Sequence, residues 1–563
     1  MNTTPTPTPT RAPTPTPTPP APGRVRRRPR SFFDEIVVAL AQPGPGLLLF
    51  VLGAGLVSLG LGQDANWDLK NHHYYNPWAF LNKRAAIDLA PAGLQSFLNP
   101  LPDLPFYALV AGGLPAWIVT FVMGLPAGVG AYFLFRIARR VVVDLRVHRR
   151  ALALTAICLV AFTGTASLSQ VGSTTNEWHT AALVLPALFL LVREGHRAAG
   201  PSRTMFALIG ILLGLAVGLK PSAAPYAVAA AVVTLVCFRD RPRRHLALVM
   251  LVVYGLLGFL VGYGYWGAWL AGRYDNPFFP YFNGIFRSEF WDPVNVVDPR
   301  FRPQTLKDWL TWPLRLAERN QAMTEPAMRE PRLAVLYLVA VSLALSTVVD
   351  AIRGKRSVGA VIHERMPRSV QMVALFTFTA YGVWVVTSSS YRDTVVAELL
   401  ASLLLVVGMG MALRGAKHRD LLIGVTCIAV VAQTLAPNWG RTRAGGGPWF
   451  DVQVPLVASG ALVVTTAEPI GYLVPFMAPG VRVMRLPGAY RDRPSAPKLQ
   501  QRMHDQVAAH DGPLFVLRRT GVTDANEEAM LAGYGLVRLD RACEPVRSNV
   551  EDKALEICPL ERK

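Results

Sequence analysis

The sequence predicts an all-α membrane protein of about eleven transmembrane helices, followed by a small α/β domain outside the membrane. Of its 563 residues, 52% are hydrophobic and 17% are charged, whereas a soluble protein carries about 25% charged residues. The mean hydropathy is +0.30. The apolar residues also lie in blocks close to the roughly 20 residues that cross a hydrocarbon core ~30 Å thick. These blocks are residues 47–62, 106–135, 151–168, 178–192, 205–219, 223–238, 246–271, 333–349, 370–386, 394–413 and 421–436.

The second block is longer than the others and is interrupted by Pro115 and Pro126. Proline removes a backbone donor and kinks or ends a helix. We therefore interpret residues 106–135 as one kinked span with an interfacial segment before it.

The charge distribution predicts the orientation of the chain. A net charge of +20 could indicate nucleic acid as a partner. The basic residues, however, fall in short links after every second span, at 24–30, 136–150, 193–203, 239–244, 353–368 and 414–419. This pattern is typical of cytoplasmic loops. It predicts a multi-pass protein of the inner (plasma) membrane with a cytoplasmic N-terminus, an outer C-terminus and no nucleic-acid partner.

We expect three parts along the chain. Residues 1–30 are a Thr/Pro-rich tail with a basic end, predicted to be disordered in the cytoplasm. Residues 31–437 form the transmembrane domain, with long outer loops at 63–105 and 272–332. Residues 438–563 form the extracytoplasmic domain, in which 461–466 and 513–517 are predicted strands and 498–509 and 526–534 predicted helices. Their alternation predicts an α/β domain that covers a site or binds a partner.

Cys543 and Cys558 lie in the part of the chain predicted to be outside, where a disulfide is allowed. Closing so short a loop would contribute about 3 kcal/mol. The other cysteines, Cys158, Cys237 and Cys427, lie inside apolar spans and are expected to be small core residues.

Polar residues gather at the outer ends of the spans rather than at their centres. Glu398 is the one acidic residue within a span, and it lies less than two turns from the outer end. Ion-coupled transporters need charged or unwound midplane sites. The pattern instead favours an enzyme that works where a lipid-borne substrate meets water.

The strongest polar cluster is the run DANWDLKNHHYYNP at 64–77, just outside the first span. Asp64 and Asp68 are four residues apart and would share one face if the first span continued as a helix. Either could act as a general base if a partly apolar surrounding raised its pKa. Two nearby carboxylates could also hold a divalent cation, although they do not complete a coordination shell. The alternative is an interfacial belt of Trp, Tyr and His.

Three further clusters lie at outer ends. Glu177 is part of the run TTNEWH at 174–179. Lys220 ends the fifth span and suits a lipid phosphate, unless its side chain only extends toward the interface. Arg392 could clamp a phosphate through two oxygens; the alternative is a salt bridge with Asp393 or Glu398.

These motifs together resemble the GT-C superfamily of membrane glycosyltransferases, which use sugars linked to polyprenyl phosphate. The resemblance rests on an acidic motif after the first span, an even number of further spans before an outer soluble part, and the run GLKP at 218–221. The chain is also similar to a poorly characterised bacterial GT-C-like group. That similarity rests on the runs WDLKNHHYYNP (67–77), LPFY (104–107), DNPFFPYFN (275–283) and NWGR (438–441), with Asn99-Pro100.

The resemblance implies transfer of a sugar from a polyprenyl-phosphate donor to an envelope glycan or lipid acceptor. Asp68 would be the catalytic base, with Asp64 the second choice, and Glu177 would be a second acid near the acceptor. Charge developing on the departing phosphate would be stabilised by Lys220 and Arg392. The expected substrate-binding residues are Lys220, Arg392, His72, His73, Asn76 and Glu398.

Two other functions remain open from the sequence. An envelope polysaccharide polymerase or ligase would use Arg and His of a large late outer loop, which places its site in 272–332. A non-enzymatic flippase or scaffold would use the outer domain to bind a partner. Substitution of Arg300 and Arg302, compared with substitution of Asp68, separates the first alternative from the transferase.

Overall fold

The computed structural model describes residues 32–145, 147, 149–296, 298–486, 497–521 and 525–563. The tail 1–30, predicted to be disordered, lies outside the described residues. Helices dominate the part before residue 434. They are α1 (Phe32–Leu40), α2 (Pro45–Leu61), α3 (Tyr75–Leu81), α4 (Leu104–Ala111), α5 (Ala116–Asp144), α6 (Arg150–Phe162), α7 (Thr165–Ser169), α8 (Glu177–Gly195), α9 (Arg203–Leu219), α10 (Ala224–Cys237), α11 (Arg244–Phe259), α12 (Tyr265–Tyr274), α13 (Asn283–Phe286), α14 (Leu306–Arg315), α15 (Pro331–Arg353), α16 (Val358–Arg365), α17 (Arg368–Thr387), α18 (Val395–Ala412) and α19 (Arg419–Gln433).

Each of the eleven apolar blocks is mainly helical in the structure, although 106–135, 151–168 and 246–271 each contain two α-helices. Among the described residues, five helical segments are long and apolar enough to cross a membrane. They are Ala116–Asp144, Arg244–Tyr274, Pro331–Arg353, Arg368–Thr387 and Tyr391–Ala412. Five shorter apolar helical segments accompany them, Pro45–Leu61, Leu101–Ala111, Arg150–Phe162, Arg203–Leu219 and Pro221–Cys237. The protein is therefore a helical protein with several candidate membrane spans, and the count of eleven stays a prediction.

The predicted kinked span 106–135 is two helices, α4 and α5, which meet at residues 112–115. α4 ends at Ala111, and the break contains Gly113, whose φ of 74° is a left-handed conformation that favours glycine. Pro115 then directly precedes α5. Pro126, in contrast, lies inside α5 without ending it.

Helix α18 lies at the centre of the bundle, and all its residues from Val395 to Met411 are buried. It packs against α15, α17 and α6, while α9 packs along α11 and α2 along α5. The helix that carries Glu398 is thus surrounded by protein, which explains how a charged group can lie within so apolar a segment.

The C-terminal part forms a seven-stranded mixed sheet with two helices. After β1 (Gln63–Asp64), the strands are β2 (Arg441–Thr442), β3 (Val452–Gln453), β4 (Leu462–Thr465), β5 (Arg482–Arg485), β6 (Leu514–Arg519), β7 (Leu536–Arg538), β8 (Glu544–Ser548) and β9 (Leu555–Arg562), and the helices are α20 (Pro497–Ala508) and α21 (Ala525–Gly533). The sheet order is β3-β8-β9-β6-β4-β5, with β7 also paired to β9. The strands predicted at 461–466 and 513–517 are β4 and β6, and they pair in parallel.

The disulfide expected between Cys543 and Cys558 is present in the structure and joins the segment before β8 to β9. Cys427 is buried, and Cys158 and Cys237 are partly buried, all without a disulfide.

The C-terminal sheet is fastened to the loop 63–105. Leu89 donates its backbone N–H to Val483 O at 3.0 Å and accepts from Arg485 N at 3.1 Å, which extends the sheet beyond β5. β1 pairs with β2 in antiparallel register, Asp64 opposite Arg441. The sheet domain therefore covers the end of the bundle from which this loop emerges, and we call this end the covered end.

Gly471 provides a close contact between the sheet domain and the turn that follows Asp68. A Cβ built on Gly471 would lie 2.0 Å from the backbone oxygen of Asn71. We expect Gly471→Ala to lower the free energy of unfolding by about 1–3 kcal/mol, the range for overpacking a close contact. The thermal unfolding midpoint of the purified protein measures this. Gly533→Ala is the control, because the space around Gly533 is open; equal midpoints for the two variants would contradict the contact.

Candidate functional site

Asp68 and Arg392 form an ion pair at the covered end, although 324 positions separate them in the chain. Asn66 starts the local turn, since its Oδ1 accepts the backbone N–H of Leu69 at 2.6 Å. Asp68 then stands at the head of a π-helical turn, Leu69–His73. Arg392 Nη1 donates to Asp68 Oδ2 at 2.7 Å, and the two side chains are 30% and 14% exposed, respectively. The pair is partly shielded but open to a ligand.

The surroundings keep Asp68 ionised. Burial raises its pKa, but the guanidinium of Arg392, helped by Lys220, lowers the pKa well below its usual range. While it is paired in this way, Asp68 is an anion and a weak base.

Asp64 is placed differently from Asp68. The prediction that both share one helical face is wrong, because α2 ends at Leu61 and Gly62 adopts a φ of 92°, open to glycine. Asp64 lies in β1, and Thr174 donates to its Oδ2 through both its backbone N–H and its hydroxyl, each at 2.8 Å. Ser173 adds a third bond at 3.3 Å. Buried and fully engaged, Asp64 fastens the loop before α8.

Lys220 and Glu177 form a second ion pair. Lys220 Nζ also donates to Thr175 O at 2.6 Å. On its other side, Glu177 hydrogen-bonds to Asp393, whose carboxylate accepts from Ser388 Oγ at 2.8 Å. Glu177 thus lies between Lys220 and a second carboxyl group, that of Asp393.

Glu177 is the first residue of α8, ahead of the apolar segment 178–192. Burial raises the pKa of Glu177 to about 8; the Lys220 charge opposes this, and Asp393 adds to it. The carboxyl groups of Asp393 and Glu177 also interact electrostatically with Arg392, the cation of the first ion pair. The structure therefore brings Asp68, Glu177, Lys220 and Arg392 into one cluster.

His72 and His73 line this cluster, with their ring centroids 4.0 Å apart. Burial is the main cause that lowers the pKa of His72 well below its usual value, and the neighbouring His73 is the second. The His72 ring is therefore neutral. His73 Nδ1 lies 2.8 Å from Asp103 Oδ1, which also accepts from Asn176 Nδ2 at 2.6 Å. Because an ionised carboxylate only accepts hydrogen bonds, Nδ1 of His73 is the donor in this contact.

Asn76 lies outside the cluster. Its Nδ2 donates to the backbone oxygens of Gln95 and Leu98 at 2.8 and 3.3 Å. These bonds hold α3 against the loop between α3 and α4.

Glu398 lies in a separate, fully buried network. It accepts from the backbone N–H groups of Ala166 and Ser167 at 2.9 and 2.8 Å and from Tyr391 Oη at 2.7 Å. With all these bonds made and no exposed side chain, Glu398 is positioned to hold α7 and Tyr391 rather than a substrate.

The same network contains Glu330 and Arg332, which pair with each other and are also completely buried. Thr165 donates to Glu330 Oε2 through its backbone N–H at 2.9 Å and through its hydroxyl at 2.5 Å. Arg332 also donates to Thr434 Oγ1 at 3.2 Å, which ties in the end of α19.

Sequence analysis missed Asp103, Asn176 and Asp393 as members of the site. The sequence does contain a signal for Asp103, because it is an acid directly ahead of an apolar segment, α4. Glu177 stands in the same position ahead of the apolar part of α8. Asp393 was considered only as a partner of Arg392. Neither Asp393 nor Glu398 takes that place, because the guanidinium bonds to Asp68.

A divalent cation at Asp64 and Asp68 stays a prediction, and Asp64 is engaged by donors on Oδ2. Within the described ranges, the group with metal-ligand spacing is Cys543, Glu556 and Cys558. Both sulfurs of that group belong to the disulfide, so they are not free to bind a metal.

Removal of the Glu398 charge should destabilise the whole bundle. We expect Glu398→Gln to lower the free energy of unfolding by about 3–5 kcal/mol, because one member of a buried ion network is lost. The thermal unfolding midpoint in detergent measures the effect. The control is Glu364→Gln, which breaks the exposed pair with Arg356 and should change stability by less than about 0.5 kcal/mol. A midpoint unchanged in Glu398→Gln would contradict the network.

The raised pKa of Glu177 predicts a pH dependence of stability. The pKa rises from 4.5 in the unfolded chain to about 8 in the folded protein, so the folded state binds more protons between these values and loses stability as the pH rises through this window. Glu177→Gln cannot ionise. Unfolding midpoints from pH 5 to 9 should therefore fall more steeply with pH for the wild type than for Glu177→Gln; parallel curves would show that Glu177 ionises normally.

No protein-family model and no curated protein sequence matches the chain. Among solved structures, it is similar to ArnT from Cupriavidus metallidurans bound to undecaprenyl phosphate, with 12% identity, a TM-score of 0.49 and coverage of 94% of this chain and 98% of that one. It is also similar to the arabinofuranosyltransferase AftD from Mycobacteria, with 15% identity, a TM-score of 0.46 and coverage of 92% and 41%. A third similar structure is the archaeal oligosaccharyltransferase AglB from Archaeoglobus fulgidus, in complex with an inhibitory peptide and a dolichol-phosphate, with 12% identity, a TM-score of 0.39 and coverage of 89% and 71%.

Proposed function

We propose that the chain is a membrane glycosyltransferase that moves a sugar from a polyprenyl-phosphate donor to a hydroxyl of an envelope glycan or lipid acceptor. The observation that carries this proposal is the cluster at the covered end. There an ionised acid, Asp68, lies beside two cations, Arg392 and Lys220. A base and a phosphate-binding pair are what sugar transfer from a lipid phosphate requires.

The proposed reaction is an inverting displacement. The acceptor oxygen attacks the anomeric carbon, and the new C–O bond forms as the bond from that carbon to the phosphate oxygen breaks. Asp68 takes the proton of the acceptor hydroxyl, and the electron pair of the broken bond stays on the polyprenyl phosphate. Arg392 and Lys220 stabilise the charge on that leaving group, which is the electrostatic contribution expected of preorganised cations.

Two features support a lipid-borne substrate. The cluster lies at the ends of long apolar helices, including Arg368–Thr387 and Tyr391–Ala412, so a polyprenyl chain can remain among apolar groups while its phosphate reaches Arg392. The guanidinium can also bind two phosphate oxygens at once. The resemblance of the sequence motifs to GT-C enzymes supplies the donor class.

We propose that the covered end faces the outside of the inner (plasma) membrane of a bacterium. This orientation is supported by the basic links at 136–150, 193–203, 239–244, 353–368 and 414–419, since an excess of Lys and Arg is typical of cytoplasmic loops. The sheet domain then shields the site from bulk water. Its Glu551 and Asp552 contact Lys70, two residues after Asp68, at 3.5 and 3.4 Å.

The test is a transfer assay on Asp68→Asn in purified, reconstituted protein. Polyprenyl-phosphate-linked hexoses and pentoses are supplied with envelope acceptors, and release of polyprenyl phosphate is measured. Loss of a general base typically lowers the rate by about 10²–10⁴-fold, so we expect a loss of this size. Wild-type turnover by Asp68→Asn would overturn the assignment.

Variants of the loop 272–332 serve as the comparison. Arg300 pairs with Asp298 at 2.6 Å on the surface, and Arg302 bonds to Thr387 O. Under the proposed function, Arg300→Ala and Arg302→Ala retain most transfer. Abolished transfer in these two variants with activity retained in Asp68→Asn would instead favour the polymerase or ligase alternative.

A further inference from the structure

The ion pair between Asp68 and Arg392 ties together two groups that the transfer reaction needs separately. The side chain of Arg392 donates a hydrogen bond from Nη1 to Asp68 Oδ2. A lipid phosphate that binds Arg392 through two donors, Nη1 among them, would displace Asp68 from the guanidinium. A proton accepted by Asp68 would remove the charge that now holds Arg392. Each function therefore disturbs the pair.

We propose that Asp68 and the phosphate of the lipid donor compete for Arg392, so that donor binding frees Asp68 to act as the base. This inference rests on the proposed function and adds an order of events to it. Asp68 becomes basic only when the lipid phosphate of the donor is bound. That phosphate is also the group that leaves as Asp68 takes the proton.

The anchoring of Arg392 allows its side chain to turn while its backbone stays in place. The neighbouring Tyr391 is buried, donates its backbone N–H to Met323 O at 2.7 Å and donates its hydroxyl to Glu398. The side chain of Arg392, in contrast, is 30% exposed. A rotation of the guanidinium is therefore enough to exchange a carboxylate for a phosphate, and both are oxygen acceptors of matching geometry.

The electrostatics of Asp68 follow this exchange. Arg392 is the largest of the neighbouring groups that lower the Asp68 pKa, and burial acts in the opposite direction. When the guanidinium turns to a phosphate, its effect on Asp68 is offset by the phosphate charge, and burial raises the basicity of the carboxylate. Such coupling is reciprocal: if the donor phosphate weakens the pair, the Asp68 charge must weaken donor binding.

The test measures binding of undecaprenyl phosphate to the full-length protein by native mass spectrometry. Asp68→Asn removes the competing charge. We expect it to bind undecaprenyl phosphate about twofold to fivefold more tightly than the wild type, the effect of no longer breaking one partly screened ion pair. Asp68→Ser is measured beside it as a second variant. The double variant Asp68→Asn/Arg392→Gln should show no gain, and undecaprenol, which lacks the phosphate, should show none.

Glu289→Gln is the charge-matched control, because Glu289 forms an exposed pair with Lys498 away from the cluster; its affinity should equal that of the wild type. Equal or weaker binding by both Asp68 variants would overturn the competition, as would a gain that persists in the double variant. If Asp68→Asn abolishes transfer without tighter binding, this inference fails while the proposed function stands. If neither wild type nor Asp68→Asn binds undecaprenyl phosphate, the donor class fails, and this inference fails with it.

Discussion

A completely buried arginine, Arg332, determines the arrangement of the bundle at the covered end. Its guanidinium forms an ion pair with Glu330 and also interacts electrostatically with the carboxylate of Glu398. A buried charge without a partner is very costly, so these groups can be buried only together. The two carboxylates also accept the first N–H groups of α7, which have no partner within a helix. One charge network therefore fixes α7 relative to α15 and α18.

The placement of the site follows from this network. Tyr391, bonded to Glu398, is the residue next to Arg392. On the other side, α7 leads into the segment whose Ser173 and Thr174 hold Asp64, and that segment ends at Glu177. Arg441 of the run NWGR adds to this anchoring, since its Nη2 donates to Ser169 O and Val171 O at 2.7 and 2.8 Å. Arg392 and Glu177, which are far apart in the chain, reach one cluster because the segments that carry them are attached to the same charged core.

Local patterns in the sequence predicted the elements but not all the partners. Apolar blocks predicted where helices lie, and short apolar runs predicted β4 and β6, because such patterns depend on near neighbours. Glu398 was expected at the substrate because an acid within a span is usually functional. Its partners Ala166, Ser167 and Arg332 are far away in the chain, and no local pattern reveals them. The expected helical pair of Asp64 and Asp68 failed at Gly62, where one backbone angle redirects the chain. Asp103 was missed since its role depends on contacts with His73 and Asn176.

The cluster at the covered end is close to electrical balance, and this limits how an anion can enter it. Arg392 forms an ion pair with Asp68. Lys220 forms an ion pair with Glu177, which in turn hydrogen-bonds to Asp393. A phosphate among these groups adds negative charge in a poorly solvated place, where uncompensated charge is costly. Either a carboxylate must give up its cation or a carboxyl group must hold a proton. The cluster allows both, since Arg392 can turn from Asp68 and the raised pKa of Glu177 keeps a proton near neutral pH. Under the proposed function, the acids of this site therefore do more than supply a base: they determine the electrostatic conditions under which a lipid phosphate can bind.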